Sequence, residues 1–231
     1  MSDVARNIAL VRERIGSAAR ACGRNPDEIT LLAVSKGQPA PRISAALEAG
    51  QSAFGENYLQ EALEKMPAFR NRNVVWHFIG ALQANKTRSV AENFAWVQTV
   101  DRERIARRLS EQRPADLPPL NVCIEVRLSD EPSKHGALPA DVPALAASIA
   151  TLPRLRLRGL MTIPAPASDG NAQRLPFRQL RELHDRLCAA GHALDTLSMG
   201  MSDDLEAAIA EGATMVRIGT AIFGPRAARS R

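Results

Sequence analysis

The stretch LLAVSKGQPAPRISAALEAG, residues 31–50, opens on an apolar run that closes on Ser35-Lys36-Gly37. A run with the character of a buried strand thus ends with a lysine at its tip, and lysine is among the side chains least suited to a core. The chain has 30 Lys plus Arg among 231 residues, yet its lysines are only Lys36, Lys65, Lys86 and Lys134. Arginine fills every other cationic position. An amine that can lose its proton does chemistry closed to a guanidinium, which makes Lys36 the first candidate for function.

Outward from Lys36 the pattern repeats. Short apolar runs stand at 31–35, 53–55, 74–80, 96–100, 120–128, 155–163, 196–201 and 215–223, and helical spacings lie between them, as in Leu180, Leu183 and Leu187 or Leu205, Ala208 and Ile209. Strands separated by helices run parallel. Near-continuous apolar strands are those covered on both faces. Eight of them without a hairpin signal either stay in an open sheet or close, and the count favours closure; the absence of G-x-G-x-x-G after the first strand argues against the open dinucleotide-binding sheet. Residues 3–22 place Val4, Ile8, Val11, Ile15 and Ala18 on one helical stripe that Gly23 ends. Too few residues follow the last strand for an eighth outer helix, so this N-terminal helix is expected to cover that gap. The expected fold is α/β: a single (β/α)8 TIM barrel with an additional N-terminal helix, one domain over 1–231, without linker, repeat or second domain.

Composition narrows the function. Hydrophobic residues make up 45% of the chain and charged residues 24%, enough for one sizeable core. The formal charge of +5 comes from scattered basic residues, and with aromatic residues at 4% no base-stacking surface for nucleic acid is evident. Cys22, Cys123 and Cys188 are odd in number and far apart, which suggests neither a disulfide framework nor a zinc site and fits a reducing cytoplasm. The charged N-terminus excludes a signal-peptide core, and no apolar run reaches the ~20 residues of a membrane span.

In a barrel, chemistry collects at the C-terminal strand ends. Those ends carry Lys36, then Gly55-Glu56-Asn57-Tyr58, His77-Phe78-Ile79-Gly80, Met199-Gly200-Met201-Ser202 and Arg217-Ile218-Gly219-Thr220. Ser202, followed by Asp203 and Asp204, reads as a helix N-cap whose amides face an anion. Gly219 on the next strand lets backbone approach a ligand. Together they could cradle a phosphate, and Lys36 would face that cradle across the mouth. Pyridoxal phosphate carries an aldehyde and a phosphate on one ring, so a Schiff base to Lys36 is the natural inference. Taken singly, each glycine is an ordinary turn residue, and His77 between Trp76 and Phe78 reads as a hydrogen-bonded structural histidine. His135, His184 and His192 have no metal-ligand spacing, and the Gly200–Asp204 segment lacks the second glycine of a nucleophile elbow.

The motifs AVSKGQP, FGENYLQEALEK, WHFIGALQANK, EPSKHG, RGLMTIP and LSMGMSDDLEAAIAEGATMVRIGTAIFG, in this order, resemble the pyridoxal-phosphate homeostasis proteins, relatives of the alanine racemase N-terminal domain. The resemblance implies a barrel with pyridoxal 5'-phosphate on Lys36, Arg217 near the pyridine nitrogen, and Ser202, Gly219 and Thr220 at the phosphate. It places Asn57, His77, Ile79 and Gly80 along the cofactor. Arg127, in EVRLSDEPSKHG, departs from the smaller amide expected there.

Bound cofactor does not by itself mean turnover. Racemisation needs a base on each face, which the resemblance to alanine racemase assigns to a tyrosine of a second domain, and the only tyrosine here is Tyr58. An arginine at the ring nitrogen disfavours its protonation and weakens the ring as an electron sink. The expected function is that of a cytoplasmic carrier or buffer in vitamin B6 homeostasis, with no catalytic residues, supplying pyridoxal-phosphate-dependent apoenzymes. The alternatives are a weak racemase or similar amino-acid enzyme, and a regulatory module that binds a partner protein or nucleic acid. Lys134, after the fifth strand, could guide an anionic cofactor to the mouth.

Overall fold

Each apolar run seeds one strand, and a helix follows each strand in the chain. In a computed structural model, which describes residues 2–128, 135–167 and 169–225, β1 (Thr30–Val34), β2 (Ala53–Glu56), β3 (Val75–Phe78), β4 (Trp96–Val100), β5 (Leu120–Glu125), β6 (Leu155–Met161), β7 (Thr196–Ser198) and β8 (Met215–Ile218) pair in parallel, each with the next. β1 also pairs with β8, Leu32 opposite Arg217 and Ala33 opposite Ile218, and this closes the barrel. Around it lie α2 (Ala40–Glu48), α3 (Leu59–Lys65), α4 (Thr87–Asn93), α5 (Glu103–Gln112), α6 (Val142–Ala150), α7 (Gly170–Ala189), α8 (Leu205–Ala210) and the single-turn α9 (Thr220–Phe223). The expected TIM barrel is present.

The N-terminal helix α1 (Asp3–Ala21) stands where an eighth outer helix would. Ser2 caps it by accepting from the Ala5 amide, and Val4, Ile8, Val11 and Ile15 are buried against α8, α9 and α2. Two polar bonds fix its height: Asn7 Nδ2 donates to Ile222 O at 2.9 Å, and Arg14 pairs with Glu206 at 2.8 Å.

Several strands stop short of their apolar runs. The run at 215–223 divides into β8 and α9, whose Ile222 and Phe223 are buried beneath α1. Burial makes both pieces apolar, so hydrophobicity alone does not separate a strand from one helical turn.

Most of the core lies between sheet and helices. Inside the barrel a small apolar cluster of Leu32, Ile79 and Met215 shares the space with buried His77, Gln98, Ser198 and Arg217. Gln98 on β4 hydrogen-bonds Ser198 on β7, two strands that do not pair, so its side chain crosses the interior.

Candidate functional site

Lys36 leaves the barrel two residues beyond β1, and both peptide groups beside it are held. The Ser35 carbonyl accepts from Lys65 Nζ at 2.9 Å, and the Gly37 N–H donates to Glu61 Oε1 at 2.5 Å. Lys65 bridges to Glu56 Oε1 at 2.9 Å and to Glu61 Oε1 at 2.5 Å, while Ser35 Oγ donates to Glu56 at 2.6 Å. Burial raises the Glu56 carboxyl above its ordinary range, against the pull of Lys65 and the Ser35 hydroxyl. Lys65, only 9% exposed, is thus the clamp that fixes the turn carrying Lys36. The signal for it in the sequence is the one that marks Lys36: lysine retained where arginine prevails. Lys86, by contrast, is exposed, and Lys134 lies outside the described residues.

The half-buried Lys36 borders a cavity of about 490 Å³ at the C-terminal mouth, with Asn57, Ile79, Ser202, Arg217, Gly219 and Thr220 also on its wall. Seven of the nine residues expected to bind cofactor therefore meet at one cavity, and His77 and Gly80 are not among its lining residues. The Oδ1 atom of Asn57 is buried without a hydrogen-bond partner. Gly80 acts from behind. A Cβ on it would fall 2.1 Å from the Asn57 carbonyl oxygen, so only glycine lets the ends of β2 and β3 close around the pocket.

Arg217 forms the floor. The residue is 4% exposed, and its guanidinium donates from Nη1 to Ser198 Oγ and from Nη2 to the Thr162 carbonyl, both at 2.8 Å. Burial lowers its pKa to about 10, so it stays cationic at neutral pH. Beneath it stands His77, hydrogen-bonded through Nδ1 to Gln98 at 3.0 Å and stacked on Trp96 at 5.1 Å. Burial pulls its pKa down to about 3, so the ring is neutral. His77 is buried and is not among the residues that line the cavity.

The opposite-walls arrangement expected for amine and anion cradle is not what closure produces. Because β1 and β8 are neighbours, Gly219 lies against Val34, and a Cβ on it would stand 3.4 Å from the Val34 carbonyl oxygen and Cβ. Lys36 and the Gly219-Thr220 turn are side by side. Ser202 is not the N-cap of α8 either: Asp204 takes that position and accepts from the Met201 amide at 2.5 Å. The turn is shaped by Gly200 at φ +95°, where a Cβ would also meet that of Ala208. Ser202 precedes the helix, and its carbonyl accepts from Arg14 Nη2 at 3.1 Å. Arg14 brings a second cation to the cavity wall, from a helix whose apolar stripe draws attention away from its polar face.

Glu125, at the end of β5, is buried, and its carboxyl is pushed up to about 7 by burial and by Asp101, opposed by Arg217. Its mark in the sequence is an acid inside an apolar run. Arg127 donates its backbone N–H to the Ala137 carbonyl at 2.9 Å and does not line the cavity. Among the described residues no cluster of three or more His, Cys, Asp or Glu could hold a metal ion, and no helix is long and apolar enough to cross a membrane.

The family model described as alanine racemase, N-terminal domain, matches residues 2–227 and sets the class of this barrel. The chain is 57% identical over 229 residues to the pyridoxal phosphate homeostasis protein of Escherichia coli (strain K12), covering 98% of each chain. It is 59% identical over 226 residues to that of Pseudomonas aeruginosa, covering 98% of this chain and 97% of the other. It therefore belongs to the pyridoxal phosphate homeostasis protein family. The solved structure of PipY from Synechococcus elongatus PCC7942 with PLP bound shares 34% identity at a TM-score of 0.84, covering 96% of this chain and all of the other. Alanine racemase from Bacillus anthracis is 19% identical at a TM-score of 0.73, covering 99% of this chain and 56% of that one, and shares the fold.

Proposed function

We propose that this chain binds pyridoxal 5'-phosphate in the cavity at Lys36 and serves as a cytoplasmic carrier that buffers the cofactor and passes it to dependent apoenzymes. One observation carries the reading. An amine on a clamped turn, a buried cation and an orphaned amide acceptor meet at a single cavity. The names of the relatives, and the PLP held by PipY, agree with it.

The residues present fit the group. When bound, pyridoxal phosphate supplies an aldehyde that condenses reversibly with an amine, releasing water, beside a pyridine ring and a phosphate. Lys36 provides the amine, kept at the mouth by the Lys65–Glu61 clamp. Arg217 offers N–H groups to an acceptor at the floor, and Asn57 Oδ1 is an acceptor in need of a donor. Ser202, Gly219 and Thr220, with the Arg14 cation beside them, suit the anionic end.

The floor supports the reading of binding without turnover. The Arg217 guanidinium has no acceptor site and is cationic at neutral pH, so it favours an unprotonated acceptor and gives little help to a developing carbanion. Tyr58 is 48% exposed and does not line the cavity. Borohydride reduction of the protein loaded with pyridoxal phosphate, followed by peptide mass analysis, is expected to mark Lys36. The Lys36→Ala variant should fold without taking up the mark, and labelling confined to Lys65, Lys86 or Lys134 would refute the assignment. Purified protein should show negligible racemase, transaminase and decarboxylase turnover, and rates in the ~1–10³ s⁻¹ range of ordinary enzymes would make it an enzyme instead.

A further inference from the structure

The polar chain below the cavity has a direction. A guanidinium only donates, so Ser198 Oγ must accept from Arg217 Nη1 at 2.8 Å and send its own proton elsewhere. The acceptor it meets is Gln98 Oε1, at 2.6 Å. That bond fixes the amide, whose NH₂ then points at Met215 Sδ, 3.1 Å away, and at His77 Nδ1, 3.0 Å away. Nδ1 is therefore bare, and the imidazole proton sits on Nε2. Turned over, the amide would offer NH₂ to Ser198 Oγ and leave the serine proton without its acceptor, an uncompensated loss inside a barrel where Ser198 and Gln98 have no exposure.

We infer that Ser198, Gln98 and His77 form a one-way hydrogen-bond relay that orients the Arg217 guanidinium from beneath, which makes them positioning residues for the cavity floor. The relay starts at a group that can only donate and ends at a neutral ring that must accept. Its far end is braced: His77 lies within 11° of parallel to Trp96, and Arg158, bonded to Asp195, stands over the same indole with its Cζ at 4.8 Å. The cation is thus set before any ligand arrives, and this preorganisation spares binding the cost of ordering it. The relay is a property of the ligand-free chain, and only what Arg217 meets rests on the proposed function.

The test begins without ligand. In protein carrying ¹⁵N-labelled histidine and arginine, long-range ¹H–¹⁵N spectra should show His77 as the Nε2–H tautomer, and the Arg217 guanidinium should rotate slowly enough to give separate Nη signals. Gln98→Leu should leave His77 without a fixed tautomer and collapse the Arg217 signals. Gln98→Glu keeps an acceptor for Ser198 but presents oxygen to the ring, so the His77 proton should move to Nδ1 while Arg217 stays slow. With pyridoxal phosphate as probe, Gln98→Leu should raise Kd by about tenfold or more, the cost of one buried hydrogen bond, and Gln98→Glu by less. An Nδ1–H tautomer in the wild type overturns the relay even if no variant folds. So does an Arg217 whose rotation ignores Gln98→Leu. A wild type with the expected spectra that fails to bind pyridoxal phosphate supports the relay and refutes the proposed function.

Discussion

At the scale of single residues, two acids hidden in apolar context behave differently. Glu56 has Lys65 and Ser35 as partners on one oxygen, whereas Glu125 relies on the field of Arg217 to offset burial and Asp101. With its pKa pushed up to about 7 from an ordinary 4.5, folded Glu125 retains a proton that the unfolded chain has lost, so stability falls as pH rises through that window and is level above it. Glu125→Gln removes the dependence. Urea denaturation should show the variant gaining about 2–3 kcal/mol on the wild type between about pH 4 and about pH 8; parallel pH profiles would mean that Glu125 is not strained. The same residues show where one-dimensional reading ends. Lys36 is legible because it closes a strand, and Asn57, Ser202 and Thr220 because they follow one. Lys65 and Arg14 belong to helices, and their part in the site depends on which way a helix face turns once the barrel has closed. His77 lies within β3, two residues before the cavity-lining Ile79, and which of the two borders the cavity is a matter of depth that the alternation of side chains does not encode.

Among elements, α1 has the most unusual duty: it precedes the barrel in sequence and completes it in space. Ile8, 1% exposed on its buried stripe, should cost about 2–5 kcal/mol when cut to alanine. Amide exchange should then accelerate in α1, α8 and α9 together before it does elsewhere, because they share one contact surface; loss confined to α1 would show the helix to be an appendage. The stripe and its role were readable from the spacing of Val4, Ile8, Val11 and Ile15. Strand ends were less so, since Ile222 and Phe223 are as apolar as the strand before them and only the bend at Gly219 divides the two. The side-by-side placement of Lys36 and Gly219 follows from which strands become neighbours, a fact that exists only after closure.

For the whole molecule, a ligand that binds only the closed barrel stabilises it by mass action. Pyridoxal phosphate at about a hundred times its Kd should add ~2.7 kcal/mol and raise Tm accordingly. Pyridoxal at the same concentration should do far less, lacking the anion proposed to meet Ser202, Gly219, Thr220 and Arg14, and Lys36→Ala should blunt the response to both. Equal shifts for the two compounds would place recognition somewhere other than the turn at β8. That turn has a temporal consequence. Lys36 follows the first strand and Gly219-Thr220 the eighth, and Gly219 lies against Val34 beside the pairing that closes the sheet. A ribosome that has delivered Lys36 has yet to make most of the pocket, so a nascent or prematurely terminated chain exposes a reactive amine with nowhere to seat a phosphate. On the proposed function, cofactor capture requires synthesis carried through the eighth strand, and unfinished chains would not compete with finished ones for the vitamin.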